Sequence, residues 1–358
     1  RDVLIQTGDI ADRGHQELEL YKLLFRLQDE APASGGEVIL LLGNHELLNL
    51  QGDFRYAGTG TDIHNRSEMF GPDGWLGRQL RRRTKVVAHI GKEYGVEHSV
   101  VYAHAGILPS VAEAFVNKSQ NLSVEDAGQN VANAINRAAR ERLSNKTFAE
   151  VRDDTSIYFA SSGPLWDRYL ASSLDAGVCS ELDQSLSIFG ATRMVVGHTP
   201  QLDGKVHHRC RGRLLLADTL ISSAYEGGGH SSAVEVGPAG EAFAIYPESD
   251  SRPVRAVLPH VEAIPKDILG SDIGSGLVSQ LGSHFWVLGL DIKEQIQTIL
   301  NAAGPQPSLQ QVRQAYRRLS LSCHPDRGGT REEFSDLQSA FQGASQQLPA
   351  LASILLAH

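Results

Sequence analysis

The sequence is poor in cysteine and contains no long hydrophobic run. Its three cysteines, Cys179, Cys210 and Cys323, stand far apart without a Cys-x-x-Cys pair, so we predict no disulfide framework. No stretch reaches the roughly 18 consecutive apolar residues of a membrane span, and we therefore expect no membrane-spanning helix. The formal net charge of −9 argues against binding nucleic acid through bulk positive charge, so no nucleic-acid partner is expected.

What remains is the composition of an ordinary globular protein. Hydrophobic residues make up 41% and charged residues 21% of the 358 positions, enough to bury a core. Length at about 150 residues per domain predicts two domains or three. The chain begins at Arg1, directly before an apolar segment, and we interpret it as the remainder of a longer product. We leave the location unknown, with the cytoplasm only as a default, because any targeting segment would lie upstream and its absence here carries little weight.

Four short apolar runs each end in polar residues that can bind a metal ion. The four motifs are Gly8-Asp9-Ile10-Ala11-Asp12-Arg13-Gly14, Gly43-Asn44-His45-Glu46, His104-Ala105-Gly106 and Gly197-His198-Thr199-Pro200. Such runs are typical of strands covered on both faces. The pattern predicts an α/β or α+β sheet whose site lies at the strand ends. Carboxylate, amide and imidazole ligands suit Mn²⁺, Fe or Zn²⁺ better than Ca²⁺.

These motifs resemble those of the calcineurin-like metallophosphoesterases. Together with Gly52-Asp53-Phe54-Arg55-Tyr56 and Gly163-Pro164-Leu165-Trp166, they look most like the Shewanella-like protein phosphatases. The resemblance covers roughly residues 1–247. It implies an α/β (α+β) β-sandwich flanked by helices, and a metal-dependent phosphoprotein phosphatase that hydrolyses phosphate monoesters by metal-activated hydroxide.

The resemblance also implies two divalent metal ions, of Mn, Fe or Zn. Asp9 would bridge the two ions, and Asn44, His104 and His198 would complete the protein ligands of the second ion. A pair of ions about 3.5–4 Å apart lowers the pKa of bound water and stabilises both in-line oxygens. The implied cofactors therefore match the charge neutralisation that phosphate-monoester hydrolysis requires.

The catalytic roles implied by the resemblance fall on neighbouring positions. His45 would be the general acid that protonates the leaving alkoxide, and Asp12 would orient it through a hydrogen bond. Arg13 would clamp the phosphate, because a guanidinium fork fits two phosphate oxygens. Related phosphatases use another arginine near the Trp166 segment, and Arg168 is our candidate for that second phosphate contact.

The sequence departs from the family pattern at the ligands of the first metal. Two of its ligands come from an Asp-x-His motif on the preceding strand, which would lie upstream of Arg1. We therefore expect this chain to hold one ion well and the other poorly. Asp62-Ile63-His64 has the right letters, but it follows the Gly-Asn-His-Glu motif with no apolar run before it. We do not take it as a ligand pair, and we favour truncation over a degenerate enzyme.

Three further segments carry structural predictions. Residues 111–151 are helical in character, and we interpret them as a cap or an insertion. His207-His208-Arg209-Cys210 is interpreted as a solvated turn rather than a metal site. Residues 248–283 are rich in proline, serine, glycine and aspartate, and we interpret them as a linker.

The sequence after the linker predicts a small all-α module. Ser308-Leu309-Gln310-Gln311 is a capping box, and an amphipathic helix follows it up to the Pro325 loop. The run Ala315-Tyr316-Arg317-Arg318-Leu319 and the loop His324-Pro325-Asp326 resemble a J domain, which we assign to residues 284–345, with a tail over 346–358. We prefer Ile299-Leu300-Asn301-Ala302 over Val287-Leu288-Gly289-Leu290 as the end of its first helix.

The J-domain resemblance implies a partner. His324, Pro325 and Asp326 would dock on the seventy-kilodalton heat-shock chaperone, and Arg313 and Arg317 would meet an acidic surface of that partner. Two rival readings stay open. Beside the phosphatase, one alternative is a co-chaperone that uses a non-catalytic phosphoesterase fold as a scaffold. The other is a nucleotide or dinucleotide polyphosphate hydrolase with the same metals.

Overall fold

The structure is a computed structural model with side chains. The residues that it describes are 2–58, 60–116, 127–154, 156, 159–173, 175, 177–225, 227–247, 253–259 and 261. The predicted J domain over 284–345, its chaperone-binding residues, the tail over 346–358 and most of the linker lie outside this range. None of the described helices has the length and hydrophobicity needed to cross a bilayer.

Two sheets with parallel strands position the candidate site. The first sheet has the order β1 (Val3–Gln6), β2 (Glu37–Leu41) and β3 (Thr84–Lys85), and all of its pairs are parallel. The second has the order β4 (Val87–Ile90), β5 (Val100–Ala103), β6 (Arg193–Val196), β8 (Leu214–Leu216) and β7 (His207–Arg209). In it β5, β6 and β8 run parallel, while the edge strands β4 and β7 are antiparallel. The carboxyl ends of the parallel strands in each sheet therefore lie at one edge.

The third sheet is antiparallel and has three strands. It has the order β11 (Val254–Val257), β10 (Ala242–Tyr246) and β9 (Ala233–Val236). Strand β11 falls inside the range that we predicted as linker, so the sheet extends beyond residue 247. Backbone pairing with β10 gives this segment its strand conformation, and its exposed side chains carry too weak a hydrophobic pattern to reveal it.

The helices cover the sheets. They are α1 (Glu17–Glu30), α2 (Asn44–Leu50), α3 (Ile63–Phe70), α4 (Trp75–Arg83), α5 (Pro109–Val116), α6 (Ala127–Leu143), α7 (Phe148–Arg152), α8 (Tyr169–Ser172) and α9 (Val178–Phe189). Ile39 and Leu41 of β2 pack against Ala88 and Ile90 of β4, which joins the first two sheets face to face. Their opposite faces pack against helices, which confirms the predicted mixed α/β architecture.

The described helices within residues 111–151 belong to the core rather than to a cap. Val111 and Phe115 of α5 and Val131 and Ile135 of α6 are completely or almost completely buried in the main hydrophobic cluster. Helix α6 packs against β4 and α9. The interpretation as a cap was wrong, because the alanine-rich spacing of α6 reflects close packing on the sheet rather than weak burial.

The structure contains a disulfide that the sequence analysis excluded. Cys179 on α9 and Cys210 after β7 are bonded across 31 residues. The sequence around Cys210 is also not a solvated turn, since His207–Arg209 forms β7, and Arg209 and Cys210 are buried. Spacing could not reveal this pair, because only the packing of α9 beside the β7–β8 connection brings the two sulfurs together.

Candidate active site

The edges of the first two sheets meet through glycines. Gly8 follows β1 with a φ of +96°, and a Cβ atom at this position would lie 2.7 Å from both Gly43 Cα and His104 Nδ1. A side chain there would separate the end of β1 from the ends of β2 and β5. Glycine is therefore required for this close approach, which brings the four predicted motifs to one place.

Four predicted metal ligands converge at this edge. The Nε2 atom of His104 lies 2.9 Å from Asn44 Oδ1, 3.4 Å from Asp9 Oδ1 and 3.2 Å from His198 Nδ1. One ligand atom from each of Asp9, His104 and His198 fits within a span of 4.8 Å. Three of the four side chains are buried, and Asp9 keeps one partly open side.

Second-sphere contacts support a cation at this position. The Nδ1 atom of His104 lies 2.7 Å from the carbonyl oxygen of Thr7, which can only accept, so Nδ1 carries a proton. In the neutral ring the Nε2 lone pair then faces the oxygens of Asn44 and Asp9. The Nε2 atom of His198 is buried and makes no hydrogen bond to any described residue. Facing lone pairs and an orphaned ring nitrogen fit a divalent cation.

The local electrostatics agree with this arrangement. Burial acts to raise the pKa of Asp9, but the charges of nearby histidines, His104 first, outweigh it and hold that pKa below its usual range. Burial lowers the pKa of His198 well below its usual value, and His104 and Arg168 lower it further. His198 is therefore neutral and able to act as a ligand. At His104, burial lowers the pKa but Asp9 raises it overall, so Nε2 binds either a proton or a cation.

Four residues of the site have unusual backbone conformations. Asp9, Asp12, Arg13 and His198 have φ values of +58°, +76°, +59° and +60°. A non-glycine residue in this left-handed region costs about 1–3 kcal/mol, and such strain persists only where surrounding contacts enforce it. The turn after β1 therefore needs an anchor.

Glu46 provides that anchor. Its buried carboxylate accepts hydrogen bonds from the backbone N–H groups of Asp9 at 2.9 Å, Ile10 at 2.8 Å and Ala11 at 2.9 Å. It also accepts from the N–H of Gly43 at 2.8 Å and from the Tyr21 hydroxyl at 2.7 Å. Burial and the Glu46 charge raise the pKa of Tyr21 well above its usual value, so the phenol keeps its proton. One side chain thus ties the first motif to the second.

The remaining predicted catalytic residues lie beside the metal-ligand cluster. The Nδ1 atom of His45 lies 2.6 Å from Asp12 Oδ2, and its Nε2 atom lies 2.9 Å from Arg13 Nη1. Arg13 donates to the Tyr225 hydroxyl, and its guanidinium carbon lies 4.9 Å from the centroid of the Tyr56 ring and 4.5 Å from that of Tyr225. The two rings hold the guanidinium by cation–π contact.

Residues 1–202, more than half of the chain, match the family model described as calcineurin-like phosphoesterase. The chain belongs to the calcineurin-like phosphoesterase family. It is 31% identical over 236 residues to an uncharacterised protein of Schizosaccharomyces pombe, covering 63% of each chain. It is 29% identical to Shewanella-like protein phosphatase 1 of Plasmodium berghei, over 62% of this chain and 57% of that protein. It is 24% identical to Shewanella-like protein phosphatase 2 of Arabidopsis thaliana, over 62% of each.

A solved structure shows the same fold. The cold-active protein-tyrosine phosphatase of a psychrophilic Shewanella species aligns with a TM-score of 0.50 and 26% identity, over 72% of this chain and 69% of that one. A mutant of a cold-active protein tyrosine phosphatase aligns with a TM-score of 0.51. The chain spans between 57% and 63% of the length of the curated relatives described above.

Two other predictions concern positions near this phosphoesterase site. Arg168 lies within electrostatic reach of His198 and Asp218, since its charge acts to lower the pKa of both. Asp62 and His64 lie outside the site. Asp62 caps the N-terminus of α3 and accepts from the backbone N–H of His64 at 3.0 Å, while the His64 ring is exposed beside Glu68. The structure agrees with leaving this pair out of the ligand set.

Sequence reasoning missed several residues of the site. Glu46 was included only as a motif letter, and Tyr225 and Arg66 carried no signal. Asp218 could have been found, because it follows the apolar run of β8 as the other motifs follow their strands. Burial raises the pKa of Asp218, and the charge of Asp9 raises it further, so this carboxyl lies within electrostatic reach of Asp9.

Proposed function

We propose that this chain is a metal-dependent phosphatase that hydrolyses phosphate monoesters of proteins. The observation that carries the proposal is the convergence of Asp9, His104 and His198 within 4.8 Å, beside an arginine and a histidine–aspartate pair. Hydrolysis of phosphate monoesters is extremely slow without a catalyst and demands strong charge neutralisation. Cationic groups and a proton donor at one sheet edge meet that demand.

Asp9, Asn44, His104 and His198 would hold one divalent ion, either Mn, Fe or Zn according to availability. When bound, such an ion supplies Lewis acidity and lowers the pKa of coordinated water. Asp9 would also face the second ion that the family resemblance implies. The described residues of the site do not include the two further ligands of that ion.

His45 is the proposed general acid. Its Nδ1–H donates to Asp12 Oδ2 at 2.6 Å, which fixes the ring so that Nε2 faces Arg13. A leaving alkoxide needs a proton, and imidazole can supply one near neutral pH. Arg13, between the rings of Tyr56 and Tyr225, is the proposed phosphate clamp. Arg168 would make the second phosphate contact from the side of His198.

The proposal of a protein substrate rests on the relatives. Two of them are named protein phosphatases, and the similar solved structures are named protein tyrosine phosphatases. Matched phosphoserine and phosphotyrosine peptides of one sequence would reveal which residue this chain prefers. Preferential cleavage of a dinucleoside polyphosphate over both peptides would favour the polyphosphate hydrolase instead.

Calorimetric titration of Mn²⁺ into the metal-free chain tests the metal site. We expect one tight site per chain and release of a proton, because Nε2 of His104 exchanges a proton for the ion. The variant His198→Ala should abolish that site and the hydrolysis of the peptides. His207→Ala, which removes an exposed histidine paired with Asp203, is the control and should change neither. Equal binding in all three proteins would contradict the proposal.

We also propose that residues 284–345 form a J domain that recruits a seventy-kilodalton heat-shock chaperone. The support is the sequence alone, namely the His324-Pro325-Asp326 loop and the basic flank with Arg313 and Arg317. Recruitment would raise the effective concentration of chaperone-bound clients at the phosphatase site. The variant His324→Gln in the full chain should abolish stimulation of the chaperone ATPase and leave cleavage of a small aryl phosphate unchanged. Unchanged ATPase stimulation would contradict this assignment.

The disulfide bears on location. Disulfides persist in oxidising compartments and are rare in the cytosol. The bond between Cys179 and Cys210 therefore supports an oxidising compartment over the cytoplasmic default. Mass spectrometry of the protein isolated under thiol-blocking conditions tests this, since two free thiols at these positions would support the cytoplasm.

A further inference from the structure

A buried network of charges lies behind the His45–Asp12 pair. Arg66, on α3, donates from Nη2 to Asp12 Oδ1 at 2.7 Å and from Nε to Asn49 Oδ1 at 2.7 Å. It also pairs with Glu17 through Nη1 and, at 3.1 Å, through Nη2. The Arg66 side chain is 2% exposed and that of Asp12 is 1% exposed. None of these contacts reaches the predicted metal ligands.

This network determines where the Asp12 carboxylate lies. Asn49 Nδ2 donates to Asp12 Oδ1 at 3.0 Å, so Oδ1 binds Asn49 and Arg66 while Oδ2 is left for His45. The backbone of Asp12 has a φ of +76°, and its N–H donates to Glu17 Oε2 at 2.9 Å. Arg66 therefore binds both the Asp12 side chain and the Glu17 carboxylate, which accepts the backbone N–H of Asp12.

Burial makes this cation necessary. A carboxylate almost excluded from water needs charged partners or several donors to remain ionised. The charge-assisted bond from Arg66 is the strong contact on Oδ1, whereas Asn49 supplies only a neutral donor. Without Arg66, both Asp12 and Glu17 would lose their buried cationic partner. The Asp12 carboxylate would then be free to rotate.

We infer that Arg66 is a positioning residue for the proton transfer from His45. It fixes Asp12 so that Oδ2 accepts the Nδ1–H of His45, which keeps the Nε2 atom on the side of Arg13, the proposed phosphate clamp. This inference rests on the proposed phosphatase function. It predicts a defect confined to substrates whose leaving group needs a proton.

A merely structural arginine provides a matched control. Arg81, on α4, is also buried, with 5% exposure, and donates to four backbone carbonyls. Those carbonyls belong to Leu143 at 3.0 Å, Phe70 at 3.2 Å, Gly71 at 3.4 Å and Lys146 at 3.4 Å. None of these bonds touches the His45–Asp12 pair. Arg81→Gln therefore reports what loss of a buried arginine does to stability alone.

The experiment compares two substrates in the full chain loaded with Mn²⁺. The 4-nitrophenolate anion leaves without a proton, whereas the serine alkoxide of a phosphoserine peptide requires one. We expect Arg66→Gln to lower kcat for the peptide by about 10- to 100-fold, part of the contribution typical of general acids. The kcat for 4-nitrophenyl phosphate should fall less than about threefold, with KM for both substrates unchanged, since Arg66 contacts neither phosphate nor metal ligand.

Two further variants keep the test decisive. Arg66→Lys preserves the charge and should recover part of the peptide kcat, while Arg81→Gln should change both substrates by the same factor. The Nδ1–H proton resonance of His45 should be far downfield in the wild type and in Arg81→Gln. In both Arg66 variants it should move upfield or broaden. If Arg66→Gln does not fold, the lysine variant supplies the same substrate ratio and the same resonance.

The outcomes distinguish the positioning role of Arg66 from the proposed phosphatase function on which it rests. Equal losses on both substrates for the folded Arg66 variants, with the His45 resonance unmoved, would overturn the positioning role. Failure of the wild-type chain to hydrolyse either substrate would instead overturn the proposed phosphatase activity. The resonance can still be compared among the variants in that case.

Discussion

Replacing Glu46 by glutamine is the most direct test of how the site is assembled. The substitution keeps the size of the side chain and removes one charged oxygen. Oε1 of Glu46 accepts from Ile10, Ala11 and Tyr21, and Oε2 accepts from Asp9 and Gly43. Whichever oxygen becomes an NH₂ group, at least two buried donors lose their acceptor.

The number of lost bonds sets the magnitude. Each buried donor left unsatisfied costs about 1–3 kcal/mol, so two of them predict a loss of about 2–6 kcal/mol in the free energy of unfolding. The loss also frees the backbone of Asp9, whose φ of +58° these contacts hold in place. We therefore expect the affinity for Mn²⁺ to fall together with the stability.

Urea unfolding followed by tryptophan fluorescence measures the change in stability. Glu150→Gln is the control, because Glu150 accepts from the backbone N–H and hydroxyl of Thr147 on the exposed N-terminus of α7. Water can replace those bonds, so its unfolding midpoint should stay close to that of the wild type. A Glu46→Gln protein within about 1 kcal/mol of wild type, or equal losses for both variants, would refute the anchoring role of Glu46.

Three other predictions follow from contacts outside the metal-ligand cluster. Cys210→Ser should lower the free energy of unfolding by about 3–4 kcal/mol, because it removes the loop-closure constraint over 31 residues. Cys323→Ser, measured in the same urea titration, is the control and should leave the free energy of unfolding unchanged, since the bond joins Cys179 and Cys210. Burial raises the pKa of Asp167 from 3.8 to about 6, so the protonated form stabilises the fold below about pH 4 and this stability is lost as the pH rises through 6. Asp167→Asn should remove this pH-dependent change of about 3 kcal/mol in the free energy of unfolding between pH 4 and 7. An unchanged pH dependence would refute the assignment. Tyr225→Phe should raise KM for a phosphopeptide about three- to tenfold through the lost contact with Arg13, whereas an unchanged KM in steady-state assays would count against the clamp.

Much of the site was predictable because it depends on local chain geometry. Asp9, Asn44, His104 and His198 each follow a short strand, and parallel strands end at the same edge of their sheet. This rule needs no knowledge of distances. Applied once more, it would have included Asp218 after β8.

The supporting contacts were not predictable from local pattern. Arg66 lies 54 residues from Asp12, and Glu46 lies 35 residues or more from the backbone groups of the first motif that it binds. No periodicity links such positions, since each pair meets only after α3 and α2 pack against the end of β1. The bond between Cys179 and Cys210 is hidden in the same way.

By itself, the sequence determined which chemical groups stand at the strand ends, and hence the family and the kind of ion they suit. Residue type and strand period are properties of short segments, so the sequence shows them directly. Only the tertiary structure decided which buried charges hold those groups in place, that α5 and α6 belong to the core, and that two distant cysteines bond. These features depend on distances between segments remote in the chain, which close packing alone sets.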